Sequence, residues 1–87
     1  MAPRARRIGK SVHSPGQAAL RELLIEARDR ADLTQQQLAR RLGKHQSFVA
    51  KYEGGERRID VLEFVTITRA IGADPIRLLK ALMRRVA

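Results

Sequence analysis

With 87 residues, 44% of them apolar, the chain has material for one compact core and too little for two domains. No stretch nears the ~18 consecutive apolar residues of a membrane span, and with no cysteine neither disulfides nor thiolate metal sites are available, which suits a reducing cytoplasm. The formal charge of +9 favours a polyanionic partner, nucleic acid or an acidic membrane surface, although solubility alone also accounts for it.

Residues 1–13 carry Arg4, Arg6, Arg7 and Lys10 without an acid and read as a flexible basic arm. The arm lacks the apolar run of a signal peptide, while its arginine content leaves organellar targeting as a minor second reading. From residue 14 to residue 87 the chain reads as a single helical domain. Ser14-Pro15-Gly16-Gln17 is a capping-box pattern with proline at the first helical position, and Leu20, Leu23, Leu24 and Ala27 follow at helical spacing to about Ala31. Gly16 softens that start. Thr34-Gln35-Gln36-Gln37 is a second box, followed by Leu38, Ala39 and Leu42 and stopped by Gly43.

A third short helix begins about two residues later, with Val49 and Tyr52 on one side and Gly54-Gly55 at its end. Asp60-Val61-Leu62-Glu63 opens a fourth, carrying Phe64, Ile67, Thr68 and Ile71 and ended by Gly72. Asp74-Pro75 starts a fifth, with Leu78, Leu79, Leu82 and Met83 on one side. No strand-length alternation is found. The expected fold is all-α, a compact five-helix domain.

The segment 34–54 is the informative one. Two short helices joined by so tight a break cross steeply, as in a helix-turn-helix, the other reading being an ordinary helical hairpin. At 100° per residue, Val49, Tyr52 and Glu53 share one side of the third helix, and Ser47, Ala50, Lys51 and Gly54 share the other. That second face is small, polar and cationic, which is what entry into a major groove requires: little bulk, donors for base edges, charge for phosphates. Gln46 stands at the first turn, where its amide reaches bases; Gln35 and Gln36 stand at the N-terminus of the second helix, where free N–H groups attract phosphate. Lys44 in the turn, and Arg57 and Arg58 in the following loop, complete the candidate DNA-binding set of Gln35, Gln36, Lys44, Gln46, Ser47, Lys51, Arg57 and Arg58, with solvent-facing side chains as the alternative for the loop arginines. Phe48, at the edge of the outward face, either packs on the second helix or touches a thymine methyl, packing being favoured.

On these residues the chain resembles the Cro/phage-repressor (Xre-like) helix-turn-helix family. The carrying strings are Leu33-Thr34-Gln35-Gln36-Gln37-Leu38-Ala39-Arg40-Arg41-Leu42-Gly43 and Gln46-Ser47-Phe48-Val49-Ala50-Lys51-Tyr52-Glu53-Gly54-Gly55, with residues 64–71 and Gly72-Ala73-Asp74-Pro75 resembling the fourth helix and its turn. The resemblance spans roughly residues 20–82. It implies a lambda-repressor-like domain that binds palindromic operator DNA as a dimer, often as a repressor. It implies base or phosphate contacts for Gln46, Ser47 and Lys51, a phosphate contact for Gln35, and an internal salt bridge between Arg28 and Glu53. Two departures stand out: Asp32 where the family has glycine, and His45 where it has a serine cap, which is expected either to weaken the start of the recognition helix or to place a protonatable group against phosphate.

Catalysis finds no support, since there is no glycine-rich phosphate loop, no metal-ligand spacing and no nucleophile with a base. His45 is a poor metal ligand because His13 is the only other histidine. No cofactor is expected. The alternative function is a protein-interaction module, such as an antitoxin with a toxin partner, in which DNA binding is secondary or autoregulatory. Binding to a membrane surface or to RNA ranks lower, the arm having no apolar face and the chain few aromatics. Apolar Leu79, Leu82, Met83 and Val86 on the last helix suggest a homodimer interface, chain-end packing being the other explanation.

Overall fold

A computed structural model describes residues 14–86 of the chain. Five helices follow one another: α1 (Pro15–Arg30), α2 (Gln35–Leu42), α3 (Gln46–Glu53), α4 (Val61–Ile71) and α5 (Pro75–Val86), with no strand among the described residues. This is the all-α helix-turn-helix architecture expected from the punctuation. The basic arm, residues 1–13, lies outside the described residues.

The helix starts follow the local chemistry. Ser14 Oγ accepts from Gln17 N at 3.2 Å. At α2 the box closes in both directions, Gln37 N donating to Thr34 Oγ1 and Thr34 N to Gln37 Oε1, and Asp60 and Glu63 do the same for α4. Each box satisfies two amides that the helix itself leaves unpaired. Gly43 ends α2 at φ 66°, with Lys44 N donating back to Ala39 O at 2.9 Å. No atom would crowd a Cβ there, so glycine is favoured by the backbone angle alone. After α1 the same left-handed position falls to Asp32, at φ 58°, and Leu33 N bonds Arg28 O across it.

Leu23, Leu24 and Ala27 of α1, Leu38 and Ala39 of α2, Val49 and Tyr52 of α3, Ile67 and Ile71 of α4 and Leu78 of α5 converge on one buried core. α2 packs on α3, α1 on α5, and α4 lies against α1, α2 and α5. Arg41 donates to Ala70 O at 2.9 Å, joining α2 to the end of α4, and Arg85 reaches Glu26 at 3.0 Å, joining α5 to α1. Such exposed contacts contribute little energy and mainly fix register. Burial of apolar surface from all five helices holds α3 in place, the helix that carries much of the candidate site.

Candidate nucleic-acid interface

Because Val49 and Tyr52 are fully buried, the geometry of a helix turns the opposite side of α3 outward. Gln46, Lys51 and Gly54 are exposed, and Ser47 and Ala50 are half-buried. No acid stands on this face. Its one carboxylate neighbour along the helix, Glu53, points the other way and is paired: Arg28 Nε lies 2.7 Å from Glu53 Oε2 and Arg28 Nη2 lies 2.9 Å from Oε1. The pair is largely buried, with side chains 13% and 5% exposed. The Glu53 bond holds the Arg28 guanidinium still more firmly protonated, against the opposing effect of burial. A third arginine bond, to Leu33 O at 2.7 Å, ties the loop after α1 to the same group.

Glu53 has a second partner. Gln35 Nε2 donates to Glu53 Oε1 at 2.9 Å, and Gln46 Nε2 donates to Gln35 Oε1 at 2.8 Å. A chain of hydrogen bonds therefore runs from the buried arginine through Glu53 and Gln35 to the exposed amide at the tip of α3. Gln35, Gln36, His45 and Gln46 line one hollow together with Arg28 and Thr34. The sequence placed Gln35 beside phosphate. The structure adds that Gln35 also holds Gln46, leaving the Gln46 carbonyl and one N–H for another partner.

The loop after α3 engages its arginine in contacts within the chain. Arg57 is held on the protein surface by its own neighbours: its Nη2 lies 2.6 Å from Glu63 Oε2, its Nη1 bonds Glu63 Oε1 and Arg58 O, and its guanidinium lies 4.7 Å from the Phe48 ring centre. A carboxylate six residues away and an aromatic face both outcompete water for the planar cation. A phosphate contact by Arg57, the expectation for it, requires exchange of Glu63 for phosphate. The Arg57 bond, helped by Asp60 N–H, holds the Glu63 carboxyl below its ordinary value. Lys44 Nζ sits 5.6 Å from the same Phe48 ring, which meets Tyr52 edge-on. Phe48 thus packs between its own core and two cations, the packing side of the two expectations for it. Gln36 is exposed at the start of α2 and Arg58 is exposed in the loop.

His45 carries the start of α3. Its Nδ1 accepts from Ser47 N at 3.2 Å, so the ring performs the capping role of a serine. Sequence reasoning treated this histidine as a weak cap, because histidine rarely serves there.

The comparisons with known proteins agree with this geometry. A helix-turn-helix family model matches residues 24–78, from the core of α1 to α5. The chain belongs to the Xre-like helix-turn-helix family. A solved structure described as an XRE-family like protein from Pseudomonas syringae pv. tomato str. DC3000 is 49% identical, covering 87% of this chain and 93% of that one, with a TM-score of 0.81. No curated protein matches. Members of the Xre-like family are DNA-binding transcription regulators in general, and this chain has their fold. Among the described residues no helix is long and apolar enough to cross a membrane.

Proposed function

We propose that the chain is a sequence-specific transcriptional repressor that binds palindromic operator DNA as a homodimer, with α3 in the major groove. The observation that carries this reading is the outer face of α3, exposed, cationic and free of carboxylate, with Gln46 held at its tip. Gln46 presents a carbonyl and an N–H for the paired contact that adenine invites, while Lys51 and the α2 N-terminus beside Gln36 supply phosphate contacts. A repressor of this kind acts by occupying a site that polymerase needs.

Dimerisation is supported by an apolar groove of about 410 Å³ between α4 and α5, lined by Leu20, Val61, Phe64, Ile76, Leu79 and Leu82. Of these, Val61 is 77%, Ile76 59% and Leu79 43% exposed, apolar surface of the kind a second copy of the chain would cover. One recognition helix covers few base pairs, so two half-sites about one helical turn apart give useful specificity.

Selection of bound duplexes from a random library by the full chain tests the proposal. A palindrome is expected, with Gln46→Ala relaxing one base position and Lys51→Ala weakening all sequences alike and flattening the salt dependence. Enrichment of no duplex, together with capture of a partner protein over α3, would favour the antitoxin-type interaction module.

A further inference from the structure

Ser47 meets His45 twice. Its backbone N–H points at Nδ1 at 3.2 Å, and its Oγ lies 3.0 Å from the same nitrogen. A backbone amide can only donate, so Nδ1 must carry a lone pair and the proton of the neutral ring sits on Nε2. A nitrogen without a proton can only accept. The hydroxyl hydrogen of Ser47 is therefore directed at His45, and the lone pairs of Oγ face away from it.

We infer that His45 is a specificity-determining residue, acting through Ser47: it takes up the only donor of the serine side chain and leaves Ser47 Oγ to present an acceptor to the base edge. The inference rests on the reading of α3 as the groove helix. In the major groove an acceptor suits the exocyclic amino groups of adenine and cytosine and is repelled by the O6 of guanine and the O4 of thymine. Protonation of the imidazole reverses the polarity. Nδ1–H then donates to Oγ, the hydroxyl hydrogen turns outward, and Ser47 becomes a donor suited to guanine or thymine. The same proton removes the acceptor that caps Ser47 N.

The surroundings leave this exchange to the two residues. α2 brings the neutral Thr34, Gln35 and Gln36 to the hollow that holds His45. The charged groups nearest it in the fold are Lys44 in the turn and Arg28 of α1, which is paired with Glu53, while Lys51 stands nearly two turns further along α3. Among the described residues no carboxylate lines that hollow.

The test is selection of duplexes from a random library at about pH 8 and about pH 5.5. The full chain is compared with His45→Asn, Ser47→Ala, Gln46→Ala and Lys51→Ala, each checked for a cooperative melt at both pH values. Asparagine offers the same acceptor at either pH and does not titrate. At one base position the wild type is expected to favour adenine or cytosine about fivefold at the higher pH, and to shift toward guanine or thymine at the lower. His45→Asn should keep the first preference at both pH values, and Ser47→Ala should lose it. A preference at that position indifferent to pH, or shifting equally in His45→Asn, overturns the role of His45 while Gln46→Ala and Lys51→Ala still alter selection. If those two variants change nothing, the groove reading falls, and this inference with it.

Discussion

Gln46 donates its side-chain amide to Gln35 across the turn between α2 and α3, at 2.8 Å. The bond converts a flexible side chain at a helix tip into one with a set orientation, because Gln35 is itself anchored on Glu53 at 2.9 Å. Preorganisation of this kind lowers the entropy lost when a base is bound.

Removing the support should therefore resemble removing the reader. Gln35→Ala is expected to lower discrimination at the base read by Gln46 by about 1 kcal/mol, and the double variant to lose little more than Gln46→Ala alone. Titration of the four proteins against matched and single-mismatch duplexes measures the coupling. Strict additivity would show that the two glutamines act independently.

The Arg28–Glu53 pair is a structural contact with a functional dependent. Arg28→Leu leaves Glu53 charged and buried and should destabilise the fold by about 3–5 kcal/mol. Replacing both, as Arg28→Leu with Glu53→Met, should recover most of that loss in urea unfolding while Gln35 remains unanchored. Recovered stability with impaired base discrimination would separate the two roles of Glu53.

Most of the fold was legible in the sequence, because helix starts and stops are local. Thr34 and Gln37, or Asp60 and Glu63, need only each other to close a cap. The core positions followed from helical spacing, and the Arg28–Glu53 pair from a family resemblance. The contacts that were not legible join residues without periodic relation: Gln35 with Gln46 across two helices, and Arg57 with Glu63 and Phe48 through a loop. Nothing in local spacing decides whether a loop arginine finds phosphate or a carboxylate. Phe48 was ambiguous for the same reason, since its position on the wheel leaves its neighbours from the loop unspecified.

Asp32 holds a left-handed backbone position at φ 58°. Glycine adopts that angle without the Cβ penalty, so Asp32→Gly should stabilise the domain by about 0.5–1 kcal/mol. Gly43→Ala, at φ 66°, should cost about 1 kcal/mol. Thermal melts of both variants check the two signs together.

Glu63 supplies a pH dependence whose sign follows from its pairing. Its carboxyl is lowered first by the Arg57 bond, so the stability it contributes is complete above the ordinary value of 4.5 and is lost as pH falls below it through the native value. Wild type should therefore lose stability more steeply than Glu63→Gln as the pH falls from about 5 to about 3. Parallel acid-melting curves would show that the pair contributes nothing.

The Tyr52 hydroxyl is buried with no hydrogen-bond partner among the described residues, and burial, with the nearby Glu53 charge, pushes its phenol well above the ordinary value. Tyr52→Phe removes an unsatisfied group and keeps the ring, so the unfolding midpoint should stay level or rise by up to about 1 kcal/mol equivalent. A loss above 1.5 kcal/mol, roughly the worth of one good hydrogen bond, would show that the hydroxyl is satisfied.

The absence of cysteine in the sequence gives direct access to the central claim. A cleavage reagent attached through Ala50→Cys, on the outer face of α3, and separately through Met83→Cys on α5, reports which helix lies against a selected duplex. Cutting from position 50 alone, with the strand offset of a major-groove probe in each half-site, is the predicted result. Cutting from position 83 with none from position 50 would contradict it.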